Sequence, residues 1–150
     1  MKVEQCLVGF LGPRGTFSEE AARRFAASLS TVSCRFIDYA DIPELLRAAD
    51  RGQVDYAVVP IENSLAGSVP VTVDMLVHEI TCPIRGEVII PVRHNLLAAQ
   101  PMPLEEVETV LSHPQALAQC QLWLQRFLPH ARQVATRSTA EAAQKAARGG

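Results

Sequence analysis

Short apolar runs along this chain give way again and again to a polar turn carrying a helix-start signal, and that succession leaves few folds open. Cys6 to Phe10 runs into Gly12-Pro13-Arg14-Gly15. Thr16-x-x-Glu19 then supplies a capping box for a helix whose Ala22, Phe25, Ala26 and Leu29 follow i, i+3, i+4, i+7. An extended segment around Cys34 to Ile37 leads to a second start signal, Asp41-Ile42-Pro43-Glu44, and to a helix with Leu45, Leu46 and Ala49 that closes at Gly52. Tyr56 to Pro60 is a short run of the kind buried in a parallel sheet, with the turn Glu62-Asn63-Ser64 behind it and a helix expected from about Val71 to Glu79. Ile84 to Leu97 predicts one long strand crossing between two lobes, interrupted by Gly86, Pro91 and Arg93. Val110 to Ser112 predicts a strand, and Pro114 opens a helix down to Pro129 with Ala116, Cys120, Trp123 and Phe127 on its buried side. Val134 lies in a last extended segment, and Ser138-Thr139-x-Glu141 starts an alanine-rich helix.

Strands alternating with helices predict an α/β fold with parallel pairing. In such folds ligands sit beyond the carboxyl ends of the strands. Four polar turns occupy those places: Gly12 to Ser18, Glu62 to Ser68, Ser112 to Gln119 and Thr136 to Thr139. Each precedes a helix, so its backbone N–H groups are donors suited to an anion such as a carboxylate.

Charge narrows the partners. Fourteen basic against sixteen acidic residues leave a net charge of −2 over 150 residues, which offers no general positive field for a nucleic-acid backbone or an anionic membrane. No apolar run approaches the ~18 residues of a spanning helix, and a cytoplasmic location without a signal peptide is expected. The four cysteines, at 6, 34, 82 and 120, form no C-x-x-C pair and are expected as reduced core thiols. The histidines at 78, 94, 113 and 130 show no ligand spacing, so no metal site is expected. Gly9-x-x-Gly12-x-x-Gly15 is neither G-x-G-x-x-G nor a Walker string, and a turn role is preferred to nucleotide binding.

Five strings carry a family resemblance: Gly9-Phe10-Leu11-Gly12-Pro13-Arg14-Gly15-Thr16-Phe17-Ser18, Pro60-Ile61-Glu62-Asn63-Ser64, Gly86-Glu87-Val88-Ile89-Ile90-Pro91-Val92-Arg93-His94, Ser112-His113-Pro114-Gln115 and Ser138-Thr139-Ala140. In this order and spacing, over about residues 7 to 147, the chain resembles the prephenate dehydratases. The resemblance implies a two-lobed catalytic domain of the type II periplasmic-binding-protein kind, with lobe 1 over residues 1–82 and an incomplete lobe 2 over 83–150. It implies a lyase of phenylalanine biosynthesis that converts prephenate to phenylpyruvate, water and carbon dioxide. Aromatisation drives that reaction, so the protein has to position, desolvate and protonate rather than supply a redox group or a covalent nucleophile.

Roles follow from the resemblance residue by residue. Asn63, Ser112 and Gln119 are the expected catalytic residues, Asn63 through an amide that donates to a carboxylate or accepts from the leaving hydroxyl. Thr16, Ser18, Glu62, Ser64, Gln115, Ser138 and Thr139 are the expected substrate contacts, with Gln115 one turn before Gln119 on the same side of a helix. From the residue types alone, Glu62 is either a buried general acid or a paired or capping carboxylate, and His113 either a proton carrier or a shaper of its turn. Arg93 either clamps a carboxylate or ties the lobes together.

The sequence also departs from the family. A Thr-Arg-Phe string, whose threonine leads as proton donor, is absent, and Thr136-Arg137-Ser138 is no substitute for it. The regulatory ACT domain is absent as well, so a truncated catalytic domain is expected, weakly active or inactive by itself, with an open sheet edge favouring a homo-oligomer. Two other functions share these residues: arogenate dehydration, and non-catalytic binding of a small carboxylate on the same fold.

Overall fold

The computed structural model describes residues 5–29, 33–64 and 67–148, and the chain divides into two compact units between Pro91 and Val92. In the first unit β1 (Gln5–Leu11) lies between two parallel neighbours, β2 (Ser33–Tyr39) and β3 (Tyr56–Val58), giving the order β2-β1-β3. Gln5 pairs with Ser33 through to Leu11 with Tyr39, and Val8 with Tyr56 through to Phe10 with Val58.

Side chains alternate across a strand, so Cys6, Val8 and Phe10 point to one face of the sheet. There they form a core with Ala22 of α1 (Phe17–Ser28). The opposite face receives α2 (Ile42–Asp50), whose Ile42 and Leu46 pack with Met75 of α3 (Pro70–His78). Gly9 permits that approach, because a Cβ built on it would stand 2.6 Å from Leu45 Cδ1 and 3.1 Å from the Tyr39 ring. The first glycine of the Gly-x-x-Gly-x-x-Gly pattern thus serves helix-on-sheet packing.

Local signals set the helix starts. Thr16 caps α1 by accepting from Glu19 N, and Asp41 caps α2 by accepting from Glu44 N at 2.7 Å. Behind α2, Gly52 takes φ +68°, the left-handed turn that glycine makes without strain. The turn after β3 contains a two-residue antiparallel ladder that the sequence did not suggest, β4 (Glu62–Asn63) on β5 (Gly67–Ser68). Leu65 and Ala66 of that predicted turn lie outside the described residues.

In the second unit β6 (Thr109–Ser112) and β7 (Arg132–Ala135) run parallel, and α6 (Thr139–Ala147) follows β7. Two expectations are corrected here. The helix predicted from Pro114 to Pro129 is two, α4 (Pro114–Gln119) and α5 (Gln121–Phe127), parted at Cys120. Trp123 and Phe127 are exposed, and the buried side of α5 is carried by Leu124, with Leu128 beyond it, against Val107 and Val110. Leu124 and Leu128 stand one helical turn apart and face the strand side, while the two aromatic rings stack on each other at 5.0 Å between centroids.

The long strand expected over Ile84 to Leu97 is also corrected. That stretch forms no regular element and belongs to no sheet among the described residues, and Ile84, Ile89 and Leu97 are exposed. None of the four cysteines is in a disulfide, and Cys6 alone is buried while the other three are half-buried. Burial, with the Cys34 thiol beside it on the paired strand, pushes the Cys6 thiol up to about 11.

Candidate active site

In the first unit the segments leaving β1 and β3 emerge side by side, because the two strands are parallel neighbours. The β1 turn carries Thr16 and Ser18, and the segment after β3 carries Glu62, Asn63 and Ser64. The Thr16 hydroxyl already caps α1 and lies 3.4 Å from the Leu11 carbonyl. Glu19 accepts from Gly15 N at 2.6 Å and pairs with Arg23, and these contacts, the Gly15 N–H foremost, hold its carboxyl below the usual range. Ser18, in the first turn of α1, and Asn63 are half-buried. Glu62 and Ser64 are exposed.

What holds the Asn63 segment is a residue that the sequence reading passed over. Thr72 on α3 is fully buried and donates its hydroxyl to the Pro60 carbonyl at 2.7 Å, while Val69 N donates to the Ile61 carbonyl at 2.8 Å. Two successive carbonyls ahead of Glu62 and Asn63 are thereby tied to the start of one helix. A threonine among valines at the helix start was the available signal, and helical periodicity alone hid it. Asp50 makes a similar clasp at the far end of α2, accepting from Thr81 N, the Thr81 hydroxyl and Cys82 N. The Thr81 N–H and hydroxyl hold its carboxyl below the usual aspartate range.

In the second unit Ser112 ends β6 and pairs with Ala135, and its carbonyl accepts from Thr136 N at 2.9 Å. The turns after β6 and β7 therefore leave from adjoining strand ends, bringing Ser112 and His113 beside the Thr136 to Thr139 segment. The His113 ring accepts from Gln115 N through Nδ1 at 3.2 Å, a cap on α4, which gives it the turn-shaping role. Ser138 caps α6 by accepting from Glu141 N at 3.0 Å, and Thr139 is the first residue of that helix. Glu141 bridges Lys145 and Arg137, and Lys145 first, then Arg137, lowers its pKa. Buried Thr136 donates its hydroxyl to the Ser138 carbonyl at 2.9 Å and sets the shape of this turn.

Gln115 and Gln119 lie four apart on α4, both half-buried, and Gln119 Oε1 is 2.6 Å from His94 Nε2. His94 belongs to the irregular stretch ahead of β6 and was given no role from the sequence. Arg93 is exposed and forms no ion pair among the described residues. Among those residues no group of three or more His, Cys, Asp and Glu side chains is arranged to hold a metal ion, and no helix is long and apolar enough to cross a membrane. Each unit thus gathers neutral donors, amides and hydroxyls, beyond the carboxyl ends of its parallel strands, a chemistry suited to carboxylates and hydroxyls.

Known proteins match this chain throughout. The family model for prephenate dehydratase matches residues 8–150. The bifunctional chorismate mutase/prephenate dehydratase of Neisseria gonorrhoeae is 41% identical over 139 residues, 91% of this chain and 36% of the relative. The prephenate dehydratase of Amycolatopsis methanolica is 43% identical over 138 residues, 91% of this chain and 43% of the relative. The crystal structure of prephenate dehydratase from Arthrobacter aurescens, solved in complex with L-Phe, superposes with a TM-score of 0.68 at 30% identity, over 93% of this chain and 45% of that one. The α/β fold recurs in the Staphylococcus aureus enzyme at 22% identity, TM-score 0.63, over 93% of this chain and 50% of that one. The chain spans well under half the length of the two curated relatives, and with a family model matching it from residue 8 to residue 150 it belongs to the prephenate dehydratase family.

Proposed function

We propose that this chain carries the substrate-holding residues of a prephenate dehydratase, a lyase of phenylalanine biosynthesis acting in the cytoplasm without metal or cofactor. The observation that carries this reading is the family match together with the positions of its motifs, Asn63 after β3 and Ser112, Ser138 and Thr139 at or just after the carboxyl ends of β6 and β7, with Gln119 closing the helix that follows β6. The names of the curated relatives specify prephenate, which favours it over arogenate as substrate. Two compact units, each with its own parallel strands, support the finer reading of two lobes of the type II periplasmic-binding-protein kind, over 1–82 and 83–150. Four cysteines outside any disulfide support the cytoplasmic location. Exposed Ile84, Ile89 and Leu97 support a homo-oligomer, which a concentration-independent monomer in sedimentation would overturn.

In the reaction the ring carboxylate leaves as carbon dioxide, its bonding pair enters the ring, and the C–O bond of the ring hydroxyl breaks to release hydroxide, which a proton converts to water. Negative charge leaves the ring carboxylate in the transition state, so neutral donors suit it better than a guanidinium, which would stabilise the ground state more. Asn63 and Gln119 supply such amides, and Ser112, Gln115, Ser18, Ser138 and Thr139 supply hydroxyl or amide contacts to the carboxylates and the ketone. Thr16, Glu62 and Ser64 complete the contacts of the two turns in the first unit.

The test is titration of prephenate into the ¹⁵N-labelled chain, with phenylpyruvate followed by ultraviolet absorbance in the same sample. Prephenate is expected to shift the side-chain amide signals of Asn63 and Gln119, and Asn63→Ala is expected to weaken binding about tenfold or more, the loss of a hydrogen bond to a charged group. Absence of any shift, or unchanged binding by Asn63→Ala and Gln119→Ala alike, overturns the reading.

A further inference from the structure

Two of the four cysteines meet across the first sheet. The register of β1 and β2 sets Cys6 opposite Cys34, and partners in a parallel pair project to the same face. That face is the core covered by α1, where Cys34 packs against the cluster of Cys6, Val8, Phe10 and Ala22. The two thiols are within hydrogen-bonding reach of each other, and neither is in a disulfide. Neighbouring strands stand about 4.8 Å apart, which puts the two Cα atoms inside the roughly 4.4–6.8 Å over which a disulfide forms. Cys82 and Cys120 belong to no strand and face no cysteine in register.

The two sulfurs differ in access. Cys6 lies on the middle strand and is buried, whereas Cys34 lies near the start of its neighbour β2 and is half-buried, so a small oxidant reaches Cys34 first. We propose that Cys6 and Cys34 are a reversible two-electron redox pair, oxidised by a peroxide to a disulfide that joins β1 to β2. The Cys34 sulfur, as thiolate, attacks one oxygen of hydrogen peroxide: an S–O bond forms, the O–O bond breaks, and the departing hydroxide takes up the proton that the thiol gave up. The Cys6 sulfur then attacks the sulfur of the Cys34 sulfenic acid. The S–S bond forms as the S–O bond breaks, and the Cys6 proton leaves with the departing oxygen as a second water. Two thiols and one peroxide give one disulfide and two waters. The ring so closed runs through α1 and the turn carrying Thr16 and Ser18. Cβ atoms that keep the strand spacing stand farther apart than the roughly 3.5–4.5 Å of a relaxed bridge, so closure draws the strands together and leaves the bond easy to reduce. A bridge of that kind senses oxidant rather than holding the fold.

The experiment uses the whole chain, and its main reading needs no variant. The folded protein is treated with a small excess of hydrogen peroxide, its remaining thiols are alkylated in denaturant, and its peptides are mapped by mass without reduction. A peptide pair joined through Cys6 and Cys34, lighter by two hydrogens than its parts, is expected within single chains, and excess reduced glutathione added before alkylation is expected to remove it. Cys6→Ala, which leaves Cys34 without its resolving thiol, should hold Cys34 as a sulfenic acid captured by a cyclic dione, with several times less capture in the unaltered chain. Four results overturn the pair: Cys34 carried to sulfinic acid with no link to Cys6, a bridge through Cys82 or Cys120 in its place, a Cys6 to Cys34 link found only between chains, or thiols unchanged while free cysteine in the same tube is oxidised. A bridge that survives excess glutathione overturns its reversibility. Should Cys6→Ala fail to fold, the peptide map of the unaltered chain decides alone. Neither cysteine is among the proposed prephenate contacts, so the outcome stands apart from the reading of the site.

Discussion

Thr72 offers the sharpest test of how the Asn63 segment is held. Thr72→Val keeps the branched shape and exchanges the hydroxyl that donates to the Pro60 carbonyl at 2.7 Å for a methyl. Because Thr72 is fully buried, removing its hydroxyl takes from the Pro60 carbonyl a donor held inside the fold, which costs about 1–3 kcal/mol. The added methyl returns up to ~0.8 kcal/mol. The net loss is therefore roughly 0.2–2 kcal/mol, centred near 1, and at a urea m-value of about 1.5 kcal/mol/M the midpoint should fall by about 0.8 M. Thr72→Ser separates the two contributions, since it keeps the donor and loses only a methyl, about 1 kcal/mol. The assay is urea unfolding followed at amide signals of β1 and α3, with the native signals of Ile61, Glu62 and Asn63 compared among the three proteins. Thr72→Val should displace those three signals and Thr72→Ser should leave them near their original positions. If Thr72→Val leaves both midpoint and signals unchanged, or if Thr72→Ser moves the Asn63 signals more, the hydroxyl does not hold the segment.

The remaining predictions concern other contacts. Asp50 accepts three hydrogen bonds in its ionised form, so its carboxyl should titrate below the ordinary 3.8, and the stability it lends is complete above the unfolded value and lost as pH falls through the lower folded one. Carbon-detected titration of its carboxyl checks this, and a midpoint at or above 3.8 contradicts it. Cys6 should be the slowest of the four thiols to alkylate at pH 8, since a thiol raised to about 11 holds little thiolate there; mass mapping that finds Cys6 modified before Cys82 would count against the burial argument. Gly9→Ala should cost about 1–3 kcal/mol by crowding Leu45, and Leu45→Ala in the same chain should relieve that clash, so non-additive losses in urea unfolding are expected. Ser138→Ala should cost about 1 kcal/mol through the lost cap on α6, seen as faster amide exchange in its first turn.

The elements that were legible in the sequence are those decided within a few residues. Thr16, Asp41 and Ser138 each accept from the N–H three residues on, a local geometry that the spacing of hydroxyl or carboxylate and glutamate already encodes. Parallel pairing followed from alternation of strands and helices, because a crossover long enough to hold a helix returns the chain in the same direction. What escaped depends on partners far along the chain. Trp123 and Phe127 share a period with Cys120 as Leu124 does with Leu128, and only Val107 and Val110 decide which stripe is buried. Ile84 to Leu97 has strand composition, but a strand also needs a neighbour for its backbone groups, and composition supplies none. At the candidate site, Asn63, Ser112 and Gln119 were singled out by the family strings rather than by any local pattern, whereas the contacts of Thr72 with Pro60 and of His94 with Gln119 join segments far apart in the chain, which no local pattern announces.

The order β2-β1-β3 also governs how the first unit is made. The middle strand of that sheet is synthesised before both of its neighbours, so Val8 and Phe10 have no partner strand until Ser33–Tyr39 has been added, and the other edge of β1 stays bare until Tyr56–Val58 follows. At about 5–20 residues per second that interval lasts a few seconds. During it an apolar strand with both edges unpaired is offered to whatever binds nascent chains, and the β1–α1–β2 portion is the earliest piece able to shelter it.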